Sequence, residues 1–492
     1  MKRIQQFLLA ALVLGSVSAQ AATLVVTSVG VPAIPASTNL GASLLFNFEV
    51  KNVTPNHPFT QLAITVPTVP AADVSINSGN CNAGLASGST CYFSVILKPH
   101  ALGVATINPT VTADSYFAGK LATPLSVDVK SPALSNVSLL IGSSLGLLKT
   151  TNGGASWTQF NSGYVFSPLE DVRQIAATND VYYASTSQNG LFKSNSAGAS
   201  WSVFNQYVPG FGMSNNVMAL QVDDAKLFIG TEAGFSVSAN SGATWMTYNA
   251  STPGFSPDPY VSALAVSGVN YFAVTSSGLS YSVDSGATWQ STTDFGAVLG
   301  SVQPVTVSIS AGKVYVGTSS GLAVATIGTD LTNPASWTDY TASTTGFSTF
   351  PYVRQVLIVG DAIYVATQGG LSVSVNAGTT WKNYSSATAG FSASPEANKV
   401  VVNGANIYVG TTDGLSISTN AGVSWTTYGI NTLGAFADVS AISVNGNTLI
   451  VGDTAGVSIS TDNGATWSMY SWTNIAGVEK NLVGVQAIHY LG

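Results

Sequence analysis

The chain has 492 residues, of which 8% are charged, with 15 Lys and Arg against 22 Asp and Glu and a formal net charge of −7. Binding to nucleic acid depends on clustered basic side chains; none cluster here, so no nucleic-acid partner is expected. Abundant glycine (49 residues) and 10% aromatics describe instead a β-rich protein of the kind that works outside the cytoplasm.

Residues 1–21 read as an export signal. Lys2 and Arg3 precede an apolar run from Phe7 to Leu14, and Ala19-Gln20-Ala21 suits cleavage before Ala22. That run is too short to span a bilayer, and no later one reaches about 18 uninterrupted apolar residues. The expectation is export to the periplasm or the extracellular space, with no transmembrane segment.

Residues 22–130 alternate apolar and polar residues in short runs. Ser43–Lys51, Gln61–Thr68, Cys91–Lys98, Val104–Ala113 and Leu121–Val129 are predicted strands, separated by Pro, Gly and Asn. The pattern predicts a small β-sandwich. The two cysteines, Cys81 and Cys91, are expected to form a short-range disulfide in an exported chain. His57, His100 and His489 are too scattered to complete a metal site around them, and neither a metal nor a cofactor is expected. The stretch from Cys81 to Gly103, with Leu85-x-x-Gly88-x-x-Cys91 followed by Leu97-Lys98-Pro99, resembles the immunoglobulin-like domains of bacterial surface proteins and the Hydin-type group. Residues 131–136 read as a linker.

From residue 137 to 492 one phrase recurs, a strand and a glycine turn followed by Ser or Thr and Trp. The tryptophans are Trp157, Trp201, Trp245, Trp289, Trp337, Trp381, Trp425 and Trp467, spaced by 44, 44, 44, 48, 44, 44 and 42 residues. A β-type repeat of this length predicts propeller blades, because a four-stranded sheet cannot bury both faces until neighbours stack on it. Seven units are complete from Val172 onward. Val137–Trp157 supplies three strands of an eighth, and Val483–Tyr490 its missing strand, so the expected fold is an all-β, eight-bladed propeller closed by pairing its two ends.

The turns match Ser-x-Asp-x-Gly-x-Thr-Trp best at Asp284 with Trp289 and at Asp462 with Trp467. The repeats resemble the Asp-box (BNR) propellers, a superfamily that includes sialidases, sortilin-type receptors, some endoglucanases and a photosystem assembly factor. The resemblance implies a fold, not an activity. Asn replaces Asp at Asn152, Asn240, Asn376 and Asn420, and Ser196 replaces it once. Asn cannot ionise, so the boxes share no acid or metal chemistry and read as structural hairpin staples. The unit ending at Trp337 has four extra residues and Pro334 where glycine belongs, which predicts an irregular loop.

Enzyme readings meet shortages. A sialidase-like site would imply three arginines around a carboxylate, whereas the chain after its signal has two, Arg173 and Arg354. A glycosidase needs only two carboxylates, and the segments joining one repeat to the next offer Glu170, Asp171, Asp258, Asp294, Asp339, Glu396, Asp438 and Glu479. No catalytic set stands out. The same segments carry Gly-Phe at Phe211, Phe255, Phe347 and Phe391, with Gly163-Tyr164 as a variant; they are either a ligand platform or plugs between blades. Tyr260 and Tyr352, each in Pro-Tyr-Val, are equally ambiguous. Arg173 and Arg354 both open a strand as Val-Arg-Gln, in the second and sixth repeats, where they could attract an anionic group or bond to neighbouring loops. The leading expectation is a non-catalytic binding or scaffold protein for a protein or glycan partner; the alternative is a carbohydrate-active enzyme with a loop-borne carboxylate pair.

Overall fold

The computed structural model describes residues 24–491 apart from 29–36, 40–43, 67–71, 100–102, 115–116, 121–123, 131–136, 145, 160–170, 179–180, 197, 199, 430–437, 455 and 472–483. The expected signal peptide, the linker, Glu170, Glu479 and Tyr164 lie outside the described residues. Two compact units part between Pro132 and Ala133.

The first unit is all-β. One four-stranded sheet runs in the order Leu24–Ser28, Leu44–Asn52, Thr90–Pro99, Ala72–Asn77, and Leu62–Thr65, Thr110–Ala113 and Phe117–Lys120 make a three-stranded sheet. A second three-stranded sheet holds Ser37–Asn39, Leu125–Lys130 and Gly103–Ile107. Strict alternation along Leu44–Asn52 buries Phe46, Phe48 and Val50, and Phe48 stacks on Phe93 at 4.9 Å. Cys81 and Cys91 are disulfide-bonded and buried in this core. The single strand expected over Val104–Ala113 is two strands in different sheets, Gly103–Ile107 and Thr110–Ala113. Pro109 has no N–H to continue the ladder, and the chain changes sheets there.

The second unit is a β-propeller; among the described residues it holds eight four-stranded antiparallel sheets, seven of them meanders of consecutive strands A to D. The fourth is typical: Val261–Ser267, Asn270–Thr275, Gly278–Ser282 and Gln290–Thr292. In this sheet strand C is buried throughout and strand B from Tyr271 onward, as a sheet covered on two sides requires. The A strands of the second to eighth sheets are Val172–Thr178, Val217–Asp223, Val261–Ser267, Pro304–Ser310, Val353–Val359, Ala397–Asn403 and Ala441–Asn445. The first sheet takes its A strand from the far end of the chain, Val485–Tyr490, which pairs antiparallel with Leu139–Ser143. Each A strand packs against the next, and Val485–Tyr490 touches both Ala441–Asn445 and Val172–Thr178, so the ring is closed.

The seams between sheets are built alike. Trp381 lies 4.9 Å from both Tyr340 and Phe347 of the preceding repeat, and Trp425 stands in the same relation to Tyr384 and Phe391. Trp289 with Tyr248 and Phe255, and Trp245 with Phe204 and Phe211, repeat the triad. The preceding repeat's tyrosine also fills the space where a Cβ would stand on box glycines Gly286, Gly378 and Gly422, each with φ near +90°. At the closure Tyr470 covers Gly154 and donates from Oη to the Gly153 carbonyl at 2.6 Å. Nearer the axis, Gly142, Gly230, Gly317, Gly410 and Gly452 on the B strands leave room for Val172, Val261, Val353, Val439 and Val485 of the next repeat.

Trp337 departs from the pattern as expected of its longer unit, but its turn is ordered: Asn333 caps a 3₁₀ turn over Pro334–Ser336. The indole still reaches the seam, 5.5 Å from Phe295, and donates to the Leu331 carbonyl at 2.9 Å.

Removal of a seam indole leaves a cavity between two sheets. Trp289→Ala is expected to lower the propeller's unfolding free energy by about 3 to 5 kcal/mol, and Val423→Ala, at an exposed box position, by under about 0.5. Denaturant titration followed by circular dichroism checks this; coincident midpoints for the two variants would contradict the seam.

Candidate functional site

The repeated boxes hold themselves together. Ser238 Oγ accepts from Gly242 N at 2.8 Å, Asn240 Oδ1 accepts from Thr244 N at 2.8 Å, and Asn240 Nδ2 donates to Thr244 Oγ1 at 2.9 Å. Asn152, Asn376 and Asn420 bond in the same way, and Ser196 Oγ accepts from Ser200 N at 2.9 Å. Asp284 makes the acid version, with Thr288 Oγ1 donating at 2.6 Å and Thr288 N at 2.9 Å. Those donors, the Thr288 side chain first, hold its carboxyl down at about 2. These Ser, Asn and Asp oxygens thus bond within their own turns, as hairpin staples do.

The propeller has two chemically different faces. Box turns bond to the A-to-B turns, as in Ser285 N to Val269 O at 2.8 Å and Ala377 N to Asp361 O at 2.9 Å. The segments entering the A strands bond to the B-to-C turns, as in Ser187 N to Asp171 O, Ser319 N to Gln303 O and Gln368 N to Tyr352 O, each at 3.0 Å. This second face surrounds the starts of the eight A strands.

A bulge marks those starts. In seven of the eight A strands the ladder skips the second residue: Arg173, Met218, Ser262, Val305, Arg354, Asn398 and Gln486. Ser440 holds the matching place before Ala441–Asn445. A bulged residue leaves its ladder and bends the strand, which re-aims its side chain. The mouth of the ring therefore presents eight side chains of six kinds at one register.

Half of that mouth is cross-linked by polar groups. Arg354 pairs with Glu396 and donates from Nη1 to Asn398 Oδ1 at 2.8 Å. Asn398 Nδ2 in turn donates to Asp438 Oδ1 at 2.7 Å and to the Val439 carbonyl at 3.2 Å. This ladder ties the sixth, seventh and eighth sheets. Across the closure Gln486 Nε2 donates to Asp171 Oδ1 at 2.7 Å, and Arg173 Nε lies 3.5 Å from Asp171 Oδ2. Burial raises the Asp171 pKa above the ordinary carboxylate value while Arg173 opposes the shift. The bulge positions of the other half, Met218, Ser262 and Val305, carry no charge.

Of the expected ligand residues, the structure brings Arg354 and Tyr352 together on one strand entry and sets Arg173 at the same register four sheets away. Tyr352 is 40% exposed. Tyr260 is half-buried, its N–H directed to Asp258 Oδ1 at 3.4 Å. Of the two placements the sequence leaves open for Phe211, Phe255, Phe347 and Phe391, ligand platform or plug, the structure has each buried against a tryptophan in the seam. The exposed apolar side chains of this face are others, Tyr207, Met213, Val298 and Phe350. Asn398 and Gln486 are absent from the sequence-based set, although Asn398 lies 44 residues after Arg354, one repeat on. The side chain of Lys399, next on that strand, has no hydrogen bond or ion pair among the described residues, and burial lowers its pKa. No group of metal-ligating side chains occurs among the described residues.

The chain matches no family model and no curated protein. Among solved structures it is similar to the computationally designed Ika8 protein at 14% identity and a TM-score of 0.43, covering 58% of this chain and 82% of that one. YCF48 from Cyanidioschyzon merolae aligns at 16% identity and a TM-score of 0.41 over 60% of this chain and 94% of its own. The extracellular domain of BT4673 from B. thetaiotaomicron gives 15% and 0.43 over 71% of this chain and 44% of that chain. Strand order and the closed ring of A strands define the propeller independently of these likenesses.

Because Asn makes the same turn bonds as Asp, Asp284→Asn is expected to leave the unfolding midpoint unchanged at neutral pH. A carboxyl held at about 2 instead of 3.8 stabilises the fold above the upper value and loses that contribution as pH falls to the lower one. Thermal melts in that acid window should therefore decline less steeply for the variant; a lower neutral melting temperature would show that the charge itself is needed.

Proposed function

We propose that the chain is an exported, non-catalytic binding or scaffold protein, whose eight-bladed Asp-box propeller recognises a protein or glycan partner at the mouth formed by the A-strand starts. The first unit is read as an immunoglobulin-like sandwich acting as a spacer or second contact. The observation that carries the proposal is the ladder from Arg354 through Glu396 and Asn398 to Asp438, which fixes polar groups from three sheets at one opening. It lies beside exposed Phe350 and Tyr352, an arrangement of polar and aromatic groups suited to recognition. The buried disulfide fits an oxidising compartment. No helix among the described residues is long and apolar enough to cross a membrane.

A carbohydrate-active enzyme with a loop-borne carboxylate pair is the second reading; burial shifts the Asp171 pKa upward, the direction a proton donor needs, while Arg173 beside it opposes the shift. Loss of polysaccharide turnover in Asp171→Asn, with folding intact, would support it over simple binding.

The binding proposal predicts that Arg354→Ala weakens retention of a partner by roughly tenfold or more, while Lys313→Ala at an A-to-B turn has no effect. Glycan-array binding and pull-down with the full exported chain measure both. Partners held equally well after Arg354→Ala and Arg173→Ala would remove the mouth from consideration.

A further inference from the structure

We propose that the entry to the sixth A strand is a binding subsite for a neutral sugar ring, with Tyr352 and Phe350 as the stacking platform and the Arg354, Glu396 and Asn398 groups as its hydrogen-bonding wall. This inference rests on the reading of the mouth as the recognition surface and names the ligand class that surface takes.

The platform is fixed at its backbone and open at its rings. Tyr352 O accepts from Gln368 N and Phe350 O from Gly369 N, both at 3.0 Å, and Phe350 N donates to Ser348 Oγ at 3.3 Å. Yet Phe350 is 65% and Tyr352 40% exposed. Neither ring has an aromatic partner among the described residues, in contrast to Phe347 three positions earlier, which is locked on Trp381. Two aromatic rings held in water by a bonded backbone form a preformed apolar surface, and binding there orders little more of the chain.

The groups beside them select the chemistry. Tyr352 immediately precedes the strand Val353–Val359 and stands two residues before the bulged Arg354, so both belong to one strand entry. Arg354 and Glu396 cancel each other's charge, and Asn398 and Asp438 bond to each other, leaving planar groups rich in acceptor lone pairs. A pyranose offers the complement: a face of C–H groups for an aromatic ring and a rim of hydroxyls that both donate and accept. An anionic ligand would meet Glu396, Asp438 and no free arginine. A protein partner would need a broad apolar area, whereas the segments entering the third and fifth A strands carry scattered exposed side chains such as Met213 and Val298.

The test uses the full exported chain on an array holding neutral, N-acetylated, uronate, sialylated and sulfated glycans. Binding to neutral hexose-containing glycans is expected. Tyr352→Ala and Phe350→Ala should each weaken it by roughly tenfold, Tyr352→Phe should retain it, and Met213→Ala should leave it unchanged, with unfolding midpoints equal throughout. Recognition confined to acidic glycans, or neutral binding that survives both platform substitutions, overturns the proposal. A silent array together with a protein partner whose capture depends on Arg354 overturns the sugar subsite while sustaining the mouth as the recognition surface. A silent array with capture insensitive to Arg354 removes both.

Discussion

Each sheet of the propeller has two apolar faces, and neither is dry until a neighbouring sheet covers it. A row of such sheets would leave one wet face at each end. Pairing Val485–Tyr490 with Leu139–Ser143 removes both ends at once, because the last A strand becomes part of the first sheet. The A-strand contacts then run around the ring without interruption, and Tyr470 on Gly153 and Gly154 makes at the closure the contact that Tyr340 and Tyr384 make elsewhere. Closure also hides the backbone edge that an open sheet would expose to other chains.

That constraint sorts the residues into two populations. Those that recur, such as the box Asn or Asp, the indole and the preceding repeat's Tyr and Phe, are consumed by packing and turn bonds. Those that differ at a shared register are free of that duty. The bulge at the second residue of the A strands is where the difference concentrates, since Arg, Met, Ser, Val, Asn and Gln all occupy it. The scaffold fixes where a side chain stands and leaves its identity open. This is why a repeat protein can carry an asymmetric surface on a symmetric frame.

The repeat period made most of this frame legible. Tryptophan spacing and the strand-like text between boxes lead to four-stranded units, and the lone strand text at the C-terminus leads to the closure. Reading the boxes as staples follows from Asn standing in for Asp. The site was less legible. Phe211 and Tyr352 are both aromatic residues in segments entering an A strand, and nothing local in the text tells a ring wedged under an indole from one left in water. The register does: the Phe of each Gly-Phe stands seven residues after the D-strand aromatic that shares its indole, whereas Tyr352 stands two before the bulge. Glu396 and Asp438 were visible as loop acids, but their partners are a repeat away. Only counting repeats from Arg354 would have led to Asn398. The break at Pro109 was legible too, since a proline inside predicted strand text cannot donate to a ladder.

Stability does not account for the ladder at the mouth. The Arg354 and Glu396 side chains are 37% and 30% exposed, and ion pairs that share space with water contribute about 0 to 1 kcal/mol. The seams supply far more, since a single buried indole is worth several times that amount. What the ladder does provide is position. Arg354 is held by two acceptors from the next strand entry, and Asn398 by two more from the entry after it, so four polar groups on three sheets keep one spacing without a ligand. A ligand that meets such a surface need not order it, and the conformational entropy that flexible loops would lose on binding stays out of the balance. Rigid strands beneath, bulges that aim the side chains, and bonds between neighbouring entries act in the same direction. Together they hold the polar half of the mouth in one arrangement, which is the property the proposed recognition requires.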